Sequence, residues 1–130
     1  MKIAKSTEYA LIATVHIAEN YKEGRVLSHK IAKEYNIPLE YLLKILQQLT
    51  RANVLRSKRG PGGGFILARD AKKISLLQVI EAVDGPMVAN MHLSEHTNKE
   101  FSKNIEVACD KAIGLARNAY ANTSLSDVMR

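Results

Sequence analysis

The sequence predicts a mainly α-helical fold with one small β-hairpin and a long helix near its C-terminal end. Three observations predict it. Apolar residues recur at helical spacing through most of the 130 residues. One glycine-rich stretch, 59–64, separates two short runs that alternate like strands. From about residue 99 an apolar pattern continues without a helix breaker for some twenty residues.

The elements follow in order. Residues 6–20 are almost continuously apolar (Tyr9, Ala10, Leu11, Ile12, Ala13, Val15, Ile17, Ala18), so this helix is expected to be buried on most sides. Gly24 closes the loop that follows. Ser28 is expected to cap a short second helix over 29–35, with Ile31 and Ala32 pointing inward. Asn36-Ile37-Pro38 makes a turn, and Pro38 suits the first turn of a third helix reaching about residue 52. In that helix Leu39, Leu42, Leu46 and Leu49 form an inward stripe. Glu40, Lys44, Gln47, Gln48 and Arg51 recur on the other side.

Residues 54–58 and 65–68 read as the two strands of a hairpin whose tip is Gly60-Pro61-Gly62-Gly63-Gly64. Ser75 with Gln78 has the spacing of a capping box, opening a helix that stops at Asp84-Gly85-Pro86. Residues 86–98 are weakly patterned. In the long helix over 99–121, Phe101, Ile105, Ala108, Ala112, Leu115 and Ala119 recur at intervals of 4, 3, 4, 3 and 4. That repeat favours packing against another helix, and the alanines permit close approach. Ser124 and Asp127 are spaced to begin one last helical turn. The chain therefore divides into 1–85, a helical unit with the hairpin; 86–98, a loop; and 99–130, a pairing helix with a tail.

Composition narrows the function. The length suits one domain. No apolar run approaches 18 residues, and the start lacks a signal peptide's hydrophobic stretch, so a cytoplasmic location without membrane association is expected. One cysteine excludes a disulfide framework and any single-chain zinc site built from several thiolates. The net charge of +6 is uneven: residues 1–69 carry twelve Lys/Arg against five Asp/Glu, and residues 70–130 carry seven against eight. A basic first half suits a polyanion-binding module joined to an assembly or sensing module, the competing reading being a solvated basic surface.

Three helices followed by a hairpin is the order of a winged helix-turn-helix, whose third helix enters the DNA major groove. Glu40 and Tyr41 are placed for base edges, and Lys44, Gln48 and Arg51 for bases or phosphates. Ser28 is counted with these DNA-facing residues. Arg56, Lys58 and Arg59 bring charge to the hairpin, and Gly60 begins a tip thin enough for a minor groove about 6 Å wide. Narrow minor grooves concentrate negative potential, and Arg59 is the natural probe for it. The glycines lead into Phe65 and a strand rather than a Lys-Ser/Thr helix start, which argues against a phosphate loop.

With Glu8-Tyr9-Ala10, Tyr41-Leu42 and Arg59-Gly60-Pro61-Gly62-Gly63-Gly64-Phe65, the chain resembles the Rrf-two family of bacterial winged-helix transcription regulators, which includes the IscR, NsrR and CymR types. Ile74-Ser75-Leu76, Ala82-Val83-Asp84-Gly85 and Thr123-Ser124-Leu125-Ser126-Asp127 extend the resemblance along nearly the whole chain. It implies a homodimer joined through the long helix on a roughly palindromic DNA operator, probing the minor groove with Arg59 and Gly60 and the major groove with Glu40, Tyr41 and Lys44. Cluster-binding relatives often carry Glu-Gln after Tyr-Leu. Here Leu43-Lys44 stands instead, so their operator preference does not transfer.

The resemblance also brings the iron–sulfur cluster that many relatives hold on three cysteines before the dimer helix. Residues 86–104 contain no cysteine, and Cys109 lies inside the helix, so no cofactor is expected. The alternative is a non-standard cluster assembled across a dimer from Cys109 with His29, His92, His96 or Glu8. His92 and His96 would share a face if their segment were helical; the plainer reading is polar loop histidines. Cys109 is either a small buried hydrophobe or a redox thiol reporting through the dimer. His16 reads as a hydrogen-bonded core residue.

The expected function is therefore sequence-specific DNA binding by a homodimeric regulator acting as a repressor, its effector undetermined. An adaptor that binds protein with the same fold leaves the Arg56, Lys58 and Arg59 cluster unexplained. Catalysis is the poorest reading, because no nucleophile constellation, Walker-type loop or multi-ligand zinc motif is present.

Overall fold

A computed structural model describes residues 2–20, 24–59 and 64–129. Helix α1 (Lys5–Glu19) turns its smallest side chains inward, so that Ala10, Ala13 and Ala18 are buried beside Ile17. Small side chains admit close neighbours, and α3, α4 and β2 all pack against it. Thr14 tolerates burial because its hydroxyl donates to the Ala10 carbonyl at 2.7 Å. The helix is buried on most sides, as expected: only Lys5, Glu8, Ile12 and Glu19, which share one stripe, are exposed, and Leu11 and Val15 beside it are half-buried.

Helix α2 (Ser28–Tyr35) buries Ile31 and Ala32 as expected. Ser28 is not its cap: Leu27 holds the N-cap position, and Ser28 is the first helical residue. The turn into α3 (Leu39–Arg51) uses Asn36 in the left-handed conformation (φ 55°), which a short polar side chain tolerates. Ile37 is then buried, its N–H donating to the Ala32 carbonyl at 2.9 Å. Pro38 sits at the N-cap of α3 rather than inside the first turn. The buried stripe of α3 is Leu42, Ile45, Leu46 and Leu49, the i, i+3, i+4, i+7 set of a 3.6-residue period. Leu39, expected in that stripe, is 41% exposed because packing begins one turn later.

Asn53, also left-handed (φ 61°), turns the chain from α3 into the hairpin. Strand β1 (Leu55–Ser57) pairs antiparallel with β2 (Phe65–Leu67), Leu55 opposite Leu67 and Ser57 opposite Phe65. Both strands are shorter than their alternation suggests. A feature with no sequence signal reinforces them: Val26 and Phe65 exchange two backbone hydrogen bonds of 2.9 Å. The loop before α2 is thereby tied to the base of the hairpin.

Ser75 and Gln78 form the expected capping box of α4 (Leu76–Asp84), with bonds of 3.1 and 2.8 Å. Ser124 and Asp127 repeat it at α6 (Leu125–Val128). The two boxes meet. Leu76 N–H donates to Thr123 and Leu125 N–H to Ile74, both at 2.8 Å, while Ile74 and Leu125 are fully buried. Between α4 and α5 (Glu100–Ala121) the chain makes one 3-10 turn at Leu93–Glu95. Helix α5 packs on α4 and on that turn, where the Glu106 carboxylate accepts from Leu93 N–H at 3.1 Å. Among the described residues no helix is long and apolar enough to cross a membrane.

Leu125 closes the core from the far end of the chain. Leu125→Ala is expected to cost about 3 kcal/mol of stability, read as a lowered denaturation midpoint with an unchanged slope.

Candidate nucleic-acid interface

Because one side of α3 is consumed by the core, its other side is fixed outward. Glu40, Tyr41, Lys44, Gln47 and Arg51 are exposed, and Gln48 is half-buried. Tyr41, Lys44, Gln48 and Arg51 line one shallow depression of about 450 Å³ together with Ser6 of α1. Tyr41 is steadied there by an edge-to-face contact with Tyr9, ring centroids 5.6 Å apart. Lys5 stands 6.0 Å from the Tyr9 ring centre, adding a cation beside the same surface.

Arg56, Lys58 and Arg59 are exposed on the hairpin. Gly60 and the rest of the tip through Gly63 lie outside the described residues. At the hairpin's root the Lys58 N–H donates to the Gly64 carbonyl at 2.9 Å, extending the ladder one step beyond the strands. Arg25, which the sequence reading missed, donates from Nη1 to the Arg59 carbonyl at 3.1 Å. Its stem lies flat on Gly64. A Cβ at position 64 would come within 2.4 Å of Arg25 Cδ and 2.8 Å of its Cβ, so only glycine admits that approach. The only hint was Arg25's place in the basic half; nothing local pairs it with a residue 34 positions away.

Ser28, grouped with the DNA-facing residues, is only 8% exposed and offers little surface to a ligand. Behind α2, His16 Nδ1 and the Tyr35 hydroxyl share a hydrogen bond of 2.8 Å, and Glu34 lies 3.2 Å from the same nitrogen. His16 is thus hydrogen-bonded, as expected. Burial, with the neighbouring Glu34 carboxylate, raises the Tyr35 pKa above its ordinary value. This cluster ties α2 to α1 and so sets the frame that holds α3.

On α5 the six residues of the expected seam, Phe101 to Ala119 at the intervals above, are all exposed, Phe101 by 53% and Leu115 by 64%. The neighbouring stripe, one position later along the helix, carries Ser102, Glu106, Cys109, Ile113, Ala116 and Tyr120, which are buried or half-buried. Cys109 therefore sits beside the seam rather than on it. His92 and His96 are both exposed and flank the 3-10 turn, not a helix, and His92 Nε2 contacts Asn90 Oδ1 at 3.1 Å. His29 and Glu8 are exposed on α2 and α1.

Residues 3–130 match the family model Rrf2, described as an iron-dependent transcriptional regulator. The chain belongs to the Rrf2 family. It is 31% identical over 137 residues to the HTH-type transcriptional regulator IscR of Cereibacter sphaeroides, a match spanning all of this chain and 88% of that protein. IscR of Xenorhabdus nematophila is 37% identical over 84 residues, 65% of this chain and 51% of the relative. Among solved structures, CymR of Bacillus subtilis, the global cysteine regulator, superposes with a TM-score of 0.83 at 24% identity, over 98% of this chain and 95% of that one. The oxidized form of Staphylococcus aureus CymR gives 0.78 at 26% identity over the same shares. This Rrf2 chain is accordingly a DNA-binding transcriptional regulator of the HTH type, not an enzyme, and its mainly helical fold with a two-stranded wing is that of the winged Rrf2 structures.

The iron of the family description meets a poor donor set here. The chain has one cysteine, and among the described residues no three His, Cys, Asp or Glu side chains group as a metal would need. A cluster held by three thiolates of one chain does not fit this Rrf2 protein.

Gly64 is where the wing's geometry is most exposed to test. Gly64→Ala forces Arg25 off the Arg59 carbonyl and is expected to destabilise the fold by about 1–3 kcal/mol, with a several-fold loss of duplex affinity. Thermal melts and a mobility-shift titration check both.

Proposed function

We propose that two copies of this chain pair through the exposed stripe of α5 and act as a repressor on a two-fold-symmetric operator. Each copy sets α3 in the major groove and its wing in the adjacent minor groove. The observation that carries the reading is on α5. A 22-residue helix with one buried residue presents six seam positions to solvent, Phe101, Ile105 and Leu115 among them. An uncovered apolar stripe of that length, spaced for knobs-into-holes packing, is what a second copy of the same helix covers.

In this reading Glu40, Lys44, Gln48 and Arg51 meet base edges or phosphates from the face that α3 holds outward. Arg59 probes the minor groove, and Arg56 and Lys58 neutralise phosphates on the approach. Occupying a promoter is sufficient for repression. The proposal includes operation without a cofactor, since the donor set supplies one thiolate per chain.

The test begins with selection of genomic fragments at physiological salt, using chelator-treated protein. Recovery of a palindromic sequence is expected, and enrichment of none would overturn the reading. On the recovered operator, Arg59→Ala should lower affinity about tenfold and reduce the salt slope by about 1; unaltered affinity removes Arg59 from the minor groove. Leu115→Lys places a charge on a solvent-facing position of a folded monomer. Sedimentation should then show the dimer dissociating with helicity retained, whereas an intact dimer would exclude α5 as the seam.

A further inference from the structure

Below the wing, between the C-terminal end of α1, β2 and α6, lies a cavity of about 510 Å³. That volume is in the range of small-ligand sites. Its apolar lining comes from Ala18, Ile66, Leu67, Ala71 and Met129, with no aromatic ring among the described residues that form it. Among the described residues three cations, Lys58, Arg69 and Lys72, share the same walls against a single carboxylate, Asp70. The Asp70 carboxylate is engaged, accepting from the Lys72 N–H at 2.8 Å. Arg69 is held in place by donating from Nε and Nη1 to the Asn53 and Lys73 carbonyls, both at 3.3 Å. Among the described residues no ion pair involves Lys58 or Lys72.

An aliphatic floor with a surplus of positive charge selects an amphipathic anion. We propose that this cavity binds a small aliphatic carboxylate, and that its occupancy weakens DNA binding. The second half rests on the wing reading above. Lys58 belongs to both surfaces, so a carboxylate that neutralises it removes one phosphate contact. Ile66 and Leu67 are on β2, so a body lodged against them bears on the hairpin directly. Linkage makes the effect reciprocal: bound DNA lowers carboxylate affinity by the same factor.

The probe is hexanoate, titrated into the full chain labelled at Ile, Leu and Met methyl groups, with hexylammonium at matched ionic strength as control. Saturable shifts at Ile66, Leu67 and Met129 are expected with hexanoate alone. Lys72→Gln should weaken hexanoate binding about fivefold, and Lys72→Arg should restore it. Absent shifts, equal shifts with hexylammonium, or unchanged affinity in Lys72→Gln would each overturn the site. Saturating hexanoate should lower affinity for the selected operator about threefold to tenfold. Cavity shifts with unchanged operator affinity would overturn the regulatory half. Cavity shifts in a chain that selects no operator would instead overturn the DNA reading and leave the binding site standing.

Discussion

The fold depends on how one helix is used on two sides. Leu42, Ile45, Leu46 and Leu49 of α3 are committed to the core, which they share with Ala10, Ala13 and Ile17 of α1. That burial sets the rotation of α3 about its own axis, and Glu40, Lys44, Gln47 and Arg51 face outward as a consequence. The small residues of α1 matter for the same reason. Alanines at positions 10 and 13 leave room for helix packing, and bulkier residues there would push α3 outward. Stability and recognition thus share one constraint.

The wing is anchored by different means, because three-residue strands hold little on their own. Val26 adds a backbone pair to Phe65, and Arg25 lies across Gly64 to reach the Arg59 carbonyl. A cation at the wing's root therefore acts as a strut while adding positive potential beside Lys58 and Arg59. The floor of the wing, Ile66 and Leu67, is also the wall of the cavity shared with α6. The last helix of the chain and the exposed hairpin consequently share one surface, and the capping boxes at Ser75 and Ser124 hold that end in place.

Helix α5 is two-faced in another sense. Ser102, Glu106, Cys109 and Ile113 turn toward their own chain, while Phe101, Ile105, Ala108 and Ala112 run parallel one position earlier and remain open. Both stripes have the same alternation of three and four residues, so spacing alone does not assign one to the interior. The choice falls to polarity and contact. Glu106 accepts from Leu93 N–H, and Arg117 approaches Glu81 at 3.5 Å, which pins the helix with one stripe inward. Cys109 goes with the inward stripe and is half-buried there, in one row with Glu106 and Ile113.

What the sequence determined by itself was whatever local chemistry enforces. The capping boxes, the tight turn at Asn36-Ile37-Pro38 and the order of helices follow from residues within a few positions of one another, and the family resemblance rests on equally local runs. Tertiary structure decided what depends on distant partners. Leu39 was left in solvent and Ile45 buried because the neighbours of α3 begin to cover it one turn late. Ser28 was drawn into the interior, and Val26, Arg25 and Gly64 were brought to one hairpin root from either side of α2 and α3. No periodicity encodes those meetings, since they join segments that only the closed core places side by side.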